Sequence, residues 1–261
     1  MQKHLTIALV QTDLVWENPN QNKINISKKI GAISEKIDLI ILPEMFTTGF
    51  TMNPFEFAET MDGGVILWLK SVAKTKNTAI TGSLIIKENG KYYNRLIFVF
   101  PSGEVQTYDK RHTFTFAGED KVFTAGNNKL IIDYKGWKIC PLICYDLRFP
   151  VWARNVENYD VLLYVANWPK PRINAWNTLL KARAIENMCY CAGVNRVGVD
   201  SRGNTYTGNS SVYDSLGKKI STIKPDIEAT EIVVLNKESL LKTRGTFQFL
   251  HDRDDFTFQN D

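Results

Sequence analysis

Trp137-Lys138-Ile139-Cys140-Pro141-Leu142-Ile143-Cys144-Tyr145-Asp146-Leu147-Arg148-Phe149-Pro150 reads as an apolar run that stops at a cysteine and gives way to a charged, helix-compatible segment. The apolar part has strand length and predicts a buried β-strand. A thiol at a strand end, opening into a turn, is held rigidly yet can reach a substrate. Two other reactive side chains also follow apolar runs. Glu44 ends Asp38-Leu39-Ile40-Ile41-Leu42-Pro43-Glu44, and Lys110 ends Val105-Gln106-Thr107-Tyr108-Asp109-Lys110. If the fold gathers these three strand ends, a carboxylate, an ammonium and a thiol form a hydrolytic site.

Outward from this stretch, strands and helices alternate. Leu5 to Val10 reads as a first strand, and Asn18-Pro19 as a helix cap with proline at the first helical position. Ile24, Ile30, Ile33 and Ile37 give that helix a loose apolar stripe. Val65 to Ala73 has helical spacing, and Asn174 to Met188 predicts a helix with Ala175, Leu179, Ala182 and Ile185 on one side. Strands are expected at 38–42, 78–86, 92–100, 105–108, 130–134, 160–166, 190–194, 210–213, 219–223 and 231–235. Asn89-Gly90 between two β-rich runs signals a hairpin. Residues 111–128 break the rhythm and read as a long loop, which in a compact domain is usually functional. A short helix is expected after Cys144, near Pro150 to Val156, and another at Lys237 to Lys242. This mixture of hairpins and βα units predicts an α/β layered sandwich. With no linker or repeat, residues 1–261 read as one domain with an irregular tail after about residue 245.

Composition narrows the functional classes. A chain of 261 residues with 44% hydrophobic content can bury one large core. The net charge of +4, without a dense basic block, gives little support to nucleic-acid binding. No apolar run reaches membrane-spanning length and no signal peptide is evident, so a soluble cytoplasmic protein without a membrane partner is expected. Cys140, Cys144, Cys189 and Cys191 form two close pairs in strand-like runs, which is not a disulfide framework for a chain this long. They also lack histidine neighbours at metal-ligand spacing, so no metal is expected.

The partner of a reactive cysteine is commonly histidine. Of His4, His112 and His251, only His112 is a plausible base, and in a strand it would share a face with Lys110. A Cys144–His112 thiol hydrolase is therefore one reading. A non-catalytic binding protein is another. Taken singly, Cys144 can be a small core residue, Glu44 a cap, and Lys110 one of a solvated pair with Arg111.

In these segments the chain resembles the nitrilase (carbon–nitrogen hydrolase) superfamily, whose signature is a Glu–Lys–Cys set in that chain order. The matching stretches are Leu42-Pro43-Glu44-Met45-Phe46, Tyr108-Asp109-Lys110-Arg111-His112 and Leu142-Ile143-Cys144-Tyr145-Asp146-Leu147-Arg148-Phe149-Pro150. Val165-Ala166-Asn167-Trp168-Pro169, Ala182-Arg183-Ala184-Ile185-Glu186-Asn187, Asn195-Arg196-Val197-Gly198 and Gly208-Asn209-Ser210-Ser211 also match. Cys-Tyr-Asp-Leu-Arg-Phe-Pro followed by Ala-Asn-Trp-Pro is most similar to the ω-amidase branch.

The resemblance implies a four-layer α-β-β-α sandwich, usually assembled as homodimers or larger homo-oligomers, and needing no cofactor. It implies hydrolysis of ω-amides of 2-oxo dicarboxylic acids, such as 2-oxoglutaramate and 2-oxosuccinamate, to acid and ammonia. Other amidase or nitrilase activities of the superfamily stay open. By the same resemblance Cys144 is the nucleophile, Glu44 the general base and acid, and Lys110 the oxyanion stabiliser with the backbone N–H of Tyr145. Glu119 matches the second glutamate that holds the lysine. Arg148 or Arg172 would contact a distal carboxylate, and Phe116 and Trp168 would wall the pocket.

Overall fold

The computed structural model describes residues 2–258, so Met1 and residues 259–261 of the expected domain lie outside the described residues. Thirteen strands follow in chain order. They are β1 (His4–Gln11), β2 (Leu39–Ile41), β3 (Ala79–Glu88), β4 (Lys91–Val99), β5 (Val105–Asp109), β6 (Ile132–Tyr134) and β7 (Trp137–Ile143). Then come β8 (Val161–Ala166), β9 (Tyr190–Asn195), β10 (Val197–Val199), β11 (Thr205–Thr207), β12 (Ser211–Tyr213) and β13 (Ala229–Asn236). The helices are α1 (Pro19–Gly31), α2 (Pro54–Phe57), α3 (Gly64–Lys76), α4 (Pro150–Ala153), α5 (Ile173–Glu186) and α6 (Lys237–Phe247).

One sheet has the order β13-β1-β2-β3-β4-β5 and the other β12-β9-β8-β7-β6, while β10 and β11 form a separate hairpin. Alternation along the strands of the first sheet assigns its faces. Leu5, Ile7, Leu9, Leu39, Ile41, Leu96 and Phe98 join the core shared with the second sheet. Ala8, Val10, Ile40, Leu42, Ile97 and Val99 point the other way, onto Ile26 and Ile30 of α1 and Val65, Ile66, Leu69 and Ala73 of α3. The far face of the second sheet is covered by α5. There a Cβ on Gly193 of β9 would lie 2.5 Å from Leu180 and 2.7 Å from Trp176, so only glycine admits the helix this close. The four layers are thus helices, sheet, sheet and helix.

Local signals explain most boundaries. Asn18 caps α1, its side chain accepting from Gln21 N at 3.0 Å with Pro19 following. Asn89 and Gly90 both take positive φ, 49° and 75°, as a two-residue hairpin turn requires.

Several expectations need correction. On α1 the buried residues are Asn22, Ile26 and Ile30, while Ile24 is exposed. On α5 the buried face is Trp176, Leu180, Arg183 and Ala184, rotated by about one residue from the expected stripe. Arg183 sits inside because its guanidinium donates to Leu147 O at 2.6 Å and to Glu186 at 2.8 Å. The strand expected at 219–223 is reduced to a single bridge, Tyr213 with Lys219. Side chains take its place in the ladder: Ser221 Oγ accepts from Val212 N, and the Glu231 carboxylate accepts from Thr222 N and Ile223 N. At the C-terminal end α6 runs on to Phe247 and a 3-10 turn follows at Phe249–Asp252, so among the described residues the irregular tail begins at 253.

Candidate active site

The carboxyl ends of β2, β7 and β8 open onto one crevice, the usual place for a ligand in an α/β sheet. The chain beyond each delivers a polar group. After β2 comes Glu44, fully buried, followed by Met45 at φ +42°. After β7 comes Cys144 at φ +43°, opening a 3-10 turn over Cys144–Arg148. A left-handed non-glycine residue is strained and persists only where its surroundings fix it. Here Asp146 does the fixing. Its carboxylate, fully buried, accepts from Ile143 N at 3.0 Å, Tyr108 OH at 2.8 Å and His112 N at 3.0 Å.

Lys110 follows β5 and is 1% exposed. Its backbone N–H donates to Asn94 O at 3.0 Å, and its carbonyl accepts from Gly126 N at 2.9 Å. A Cβ on Gly126 would lie 2.3 Å from Asp109 O, so this clasp requires glycine. Lys110 Nζ donates to Glu44 Oε1 at 2.9 Å and to Glu119 Oε1 and Oε2 at 3.0 and 2.9 Å. It also lies 5.1 Å from the centre of the Phe50 ring. Glu119, fully buried, comes from the 111–128 segment, which contains 3-10 turns at Thr115–Ala117 and Glu119–Lys121. Glu44 Oε2 accepts from Asn167 N at 2.8 Å, just past β8, and the Glu44 carbonyl accepts from Asn167 Nδ2 at 2.6 Å.

The charges follow from burial. Burial disfavours the charged Lys110 ammonium, but Glu119 and then Glu44 outweigh it and hold the group above its ordinary range. Burial raises the Glu119 carboxyl, Lys110 opposes the rise, and Glu44 adds to it. Burial also pushes the Cys144 thiol well up. The neighbouring Glu44 charge adds to the rise and Lys110 opposes it. The resting nucleophile is therefore a thiol, and it needs a base at the moment of attack.

Cys144 opens into a cavity of ≈ 320 Å³. The four residues expected to bind substrate, Phe116, Arg148, Trp168 and Arg172, line it, and so does Tyr145. Phe116 is 85% exposed and stands at the rim, whereas Trp168 is buried and donates from Nε1 to Arg172 O at 2.8 Å. The Arg148 guanidinium lies 5.0 Å from the Trp168 ring centre, and that of Arg172 5.1 Å from the Phe114 ring centre. Sequence reasoning missed Phe50, Phe114 and Asn167, and the β10–β11 hairpin that brings Asp200, Arg202, Asn204 and Tyr206 over the cavity. The Asp200 carboxylate is already engaged by Arg202 N, Asn204 N, Asn204 Nδ2 and Tyr206 OH. The mouth therefore offers guanidinium groups to an anionic ligand.

His112 is engaged away from the thiol. β5 stops at Asp109, so Lys110 and His112 do not share a strand face. His112 Nδ1 pairs with Asp146 Oδ1 at 2.8 Å, and the ring stacks on Phe149 at 3.7 Å between centres. His112→Ala is expected to destabilise the protein by about 1–3 kcal/mol, the loss of a hydrogen bond to a buried carboxylate. It should leave kcat within about tenfold, whereas loss of a general base removes about 10²–10⁴. Urea unfolding and ammonia release measure the two effects.

A family model described as carbon-nitrogen hydrolase matches residues 6–244. The omega-amidase YafV of Yersinia enterocolitica is 43% identical over 252 residues, covering 97% of this chain and 98% of that protein. The 2-oxoglutaramate amidase of Bacillus subtilis (strain 168) is 34% identical over 221 residues, covering 83% and 85%. Among solved structures, XC1258 from Xanthomonas campestris is a CN-hydrolase superfamily protein with an arsenic adduct in its active site. It matches with a TM-score of 0.96 at 40% identity, covering 99% of this chain and 100% of that one.

Proposed function

The chain belongs to the carbon–nitrogen hydrolase family, and from that premise we propose that it is a single-domain ω-amidase that releases ammonia from 2-oxo dicarboxylic acid monoamides through a Cys144 thioester. The observation that carries this reading is the buried Glu44–Lys110–Glu119 set beside the Cys144 thiol, which opens into a cavity rimmed by arginines.

Cys144 Sγ attacks the amide carbonyl and its proton passes to Glu44. The oxyanion takes an N–H from Tyr145 and one from Lys110. An ammonium has three donors. One serves Glu44, one bridges the two oxygens of Glu119, and the third is left for the oxyanion. Glu44 then hands the proton to the departing nitrogen, the C–N bond breaks, and ammonia leaves a thioester. Water attacks next, giving its proton to Glu44. The C–S bond breaks, the acid is released, and the proton returns to sulfur. Glu119 keeps Lys110 in place throughout.

Arg172, half-buried beside Phe114, is the better placed of the two expected arginines to hold the distal carboxylate, and Arg148 lies exposed at the mouth. Arg172→Met is expected to raise KM for 2-oxoglutaramate by roughly 10- to 100-fold, the loss of a charge-assisted contact. It should change kcat/KM for an uncharged short amide by less than about threefold on the same basis, since that substrate never made the contact. Equal losses on both amides would remove Arg172 from this role.

An ammonia-release panel of 2-oxoglutaramate, 2-oxosuccinamate, glutamine, asparagine and simple nitriles tests the substrate class. The 2-oxo amides should dominate, and prominent nitrile turnover would contradict the reading. No helix among the described residues is long and apolar enough to cross a membrane. The same reading makes the enzyme a cytoplasmic homodimer or larger homo-oligomer, with exposed Ile185, Leu241 and Phe247 as apolar material for the interface. Light scattering on the purified protein tests the assembly.

A further inference from the structure

Asn94 lies in β4, opposite Ile85 of β3, and is 1% exposed. Its side-chain amide donates to Glu44 Oε1 at 2.8 Å and to Glu119 Oε1 at 3.1 Å, which uses both of its N–H groups. Its backbone carbonyl accepts from Lys110 N at 3.0 Å. One residue thus touches all three members of the buried charged set. It does not line the cavity, and its side chain reaches the site only through Glu44 and Glu119. Turning the amide over would point its oxygen at two carboxylates, so the neighbours fix its orientation. The amide oxygen has no hydrogen-bond partner among the described residues. Buried amide oxygens are normally paired. At this position the donors are what the site uses.

We propose that Asn94 is a positioning residue of the hydrolytic reaction, whose amide bridges Glu44 and Glu119 and keeps both correctly aimed. The inference rests on the ω-amidase reading and adds a residue to it. Two carboxyl groups share one ammonium in a buried site, so ionised together they carry an excess negative charge. A second cation would balance that charge, but it would also weaken Glu44 as a base. A neutral double donor stabilises both carboxylates without adding charge. The groups facing Asn94 are Glu44 from the segment after β2, Lys110 from the end of β5 and Glu119 from its 3-10 turn, with the Cys144 thiol beyond them at the end of β7.

The sign of the pH effect follows. Donors to a carboxylate favour its ionised form, so removing two of them lets the buried carboxyl set, with Glu119 already raised by burial, hold a proton to higher pH. The base is then lost sooner as pH falls. In Asn94→Ala, kcat on 2-oxoglutaramate should fall by roughly 10- to 100-fold, with KM changed by less than about threefold. The acid limb of the kcat/KM profile should move up by about one pH unit. Asn94→Asp has nearly the native shape, and it should show the same kcat loss with a larger displacement of the acid limb. It also keeps the test open if the alanine variant does not fold.

The rate of Cys144 alkylation by iodoacetamide, read by intact mass, reports the Glu44–Cys144 pair without any ω-amide. It should fall in both variants. If the parent is alkylated normally yet releases no ammonia from the panel, the substrate reading fails, and the alkylation rates still decide on Asn94. A folded variant with unchanged kcat, acid limb and alkylation rate overturns the proposal. So does a variant that loses only thermal stability, or one whose only kinetic change is in KM.

Discussion

Cys144→Ala should abolish ammonia release from 2-oxoglutaramate, with a loss of about 10⁵-fold or more, as when an enzyme loses the nucleophile of a covalent mechanism. No other group can take its place. The remaining cysteines, Cys140, Cys189 and Cys191, are buried and do not line the cavity. Burial, the largest cause in each case, raises their thiols, that of Cys189 to about 12. The variant should fold. Alanine also carries a Cβ, so the left-handed backbone at φ +43° is neither relieved nor worsened. The Asp146 contacts that hold the turn do not involve the sulfur. Circular dichroism and a thermal melt check the fold, and a coupled ammonia assay checks the loss. A variant that keeps even 1% of the parent rate would show that the chemistry runs without the sulfur.

Glu44→Gln should lower kcat by about 10³- to 10⁵-fold. One side chain is asked to act as base for the thiol, acid for ammonia and base for water, and each proton transfer is worth about 10²–10⁴. The change is isosteric, but the pocket is not neutral to it. Glu44 Oε1 accepts from Lys110 and Asn94, and Oε2 accepts from Asn167 N. A glutamine amide placed there must aim its NH₂ at a donor in either orientation. A stability loss of about 1–3 kcal/mol should accompany the kinetic loss. The rate is therefore measured below the onset of melting and referred to active folded protein. With His112→Ala beside it, the experiment separates the two candidate bases. A dead Glu44→Gln beside an active His112→Ala fits the geometry, and the opposite pair of results would restore the Cys–His reading.

The sequence carried the strand ends well because buried strands leave plain apolar runs. Cys144 and Glu44 follow such runs directly, and Asn89-Gly90 is a hairpin dipeptide whose positive φ values the structure bears out. Helix faces were harder to read. An apolar stripe on α5 cannot anticipate that Arg183 is inside, because its burial depends on Leu147 O, a backbone acceptor distant in sequence. The expected 219–223 strand had suitable residues, but Ser221 Oγ accepts from Val212 N and the Glu231 carboxylate accepts from Thr222 N and Ile223 N, side-chain pairings that periodicity does not weigh. In the site, Asn94 was invisible because it lies inside a regular strand and its importance arises only where three separate segments converge on it. The β10–β11 hairpin escaped for a related reason. Its strands are three residues each and belong to neither main sheet, yet their loop closes over the cavity.

The central claim is that Cys144 carries the acyl group after ammonia has gone, and rapid acid quench with intact mass spectrometry tests it most directly. Mixed with excess 2-oxoglutaramate and quenched within the first turnover, the protein should gain the mass of the substrate less ammonia. Peptide mapping should place that mass on Cys144, and Cys144→Ala should show no gain. Ammonia released in the first turnover without that adduct, or with the adduct on another residue, would contradict the account.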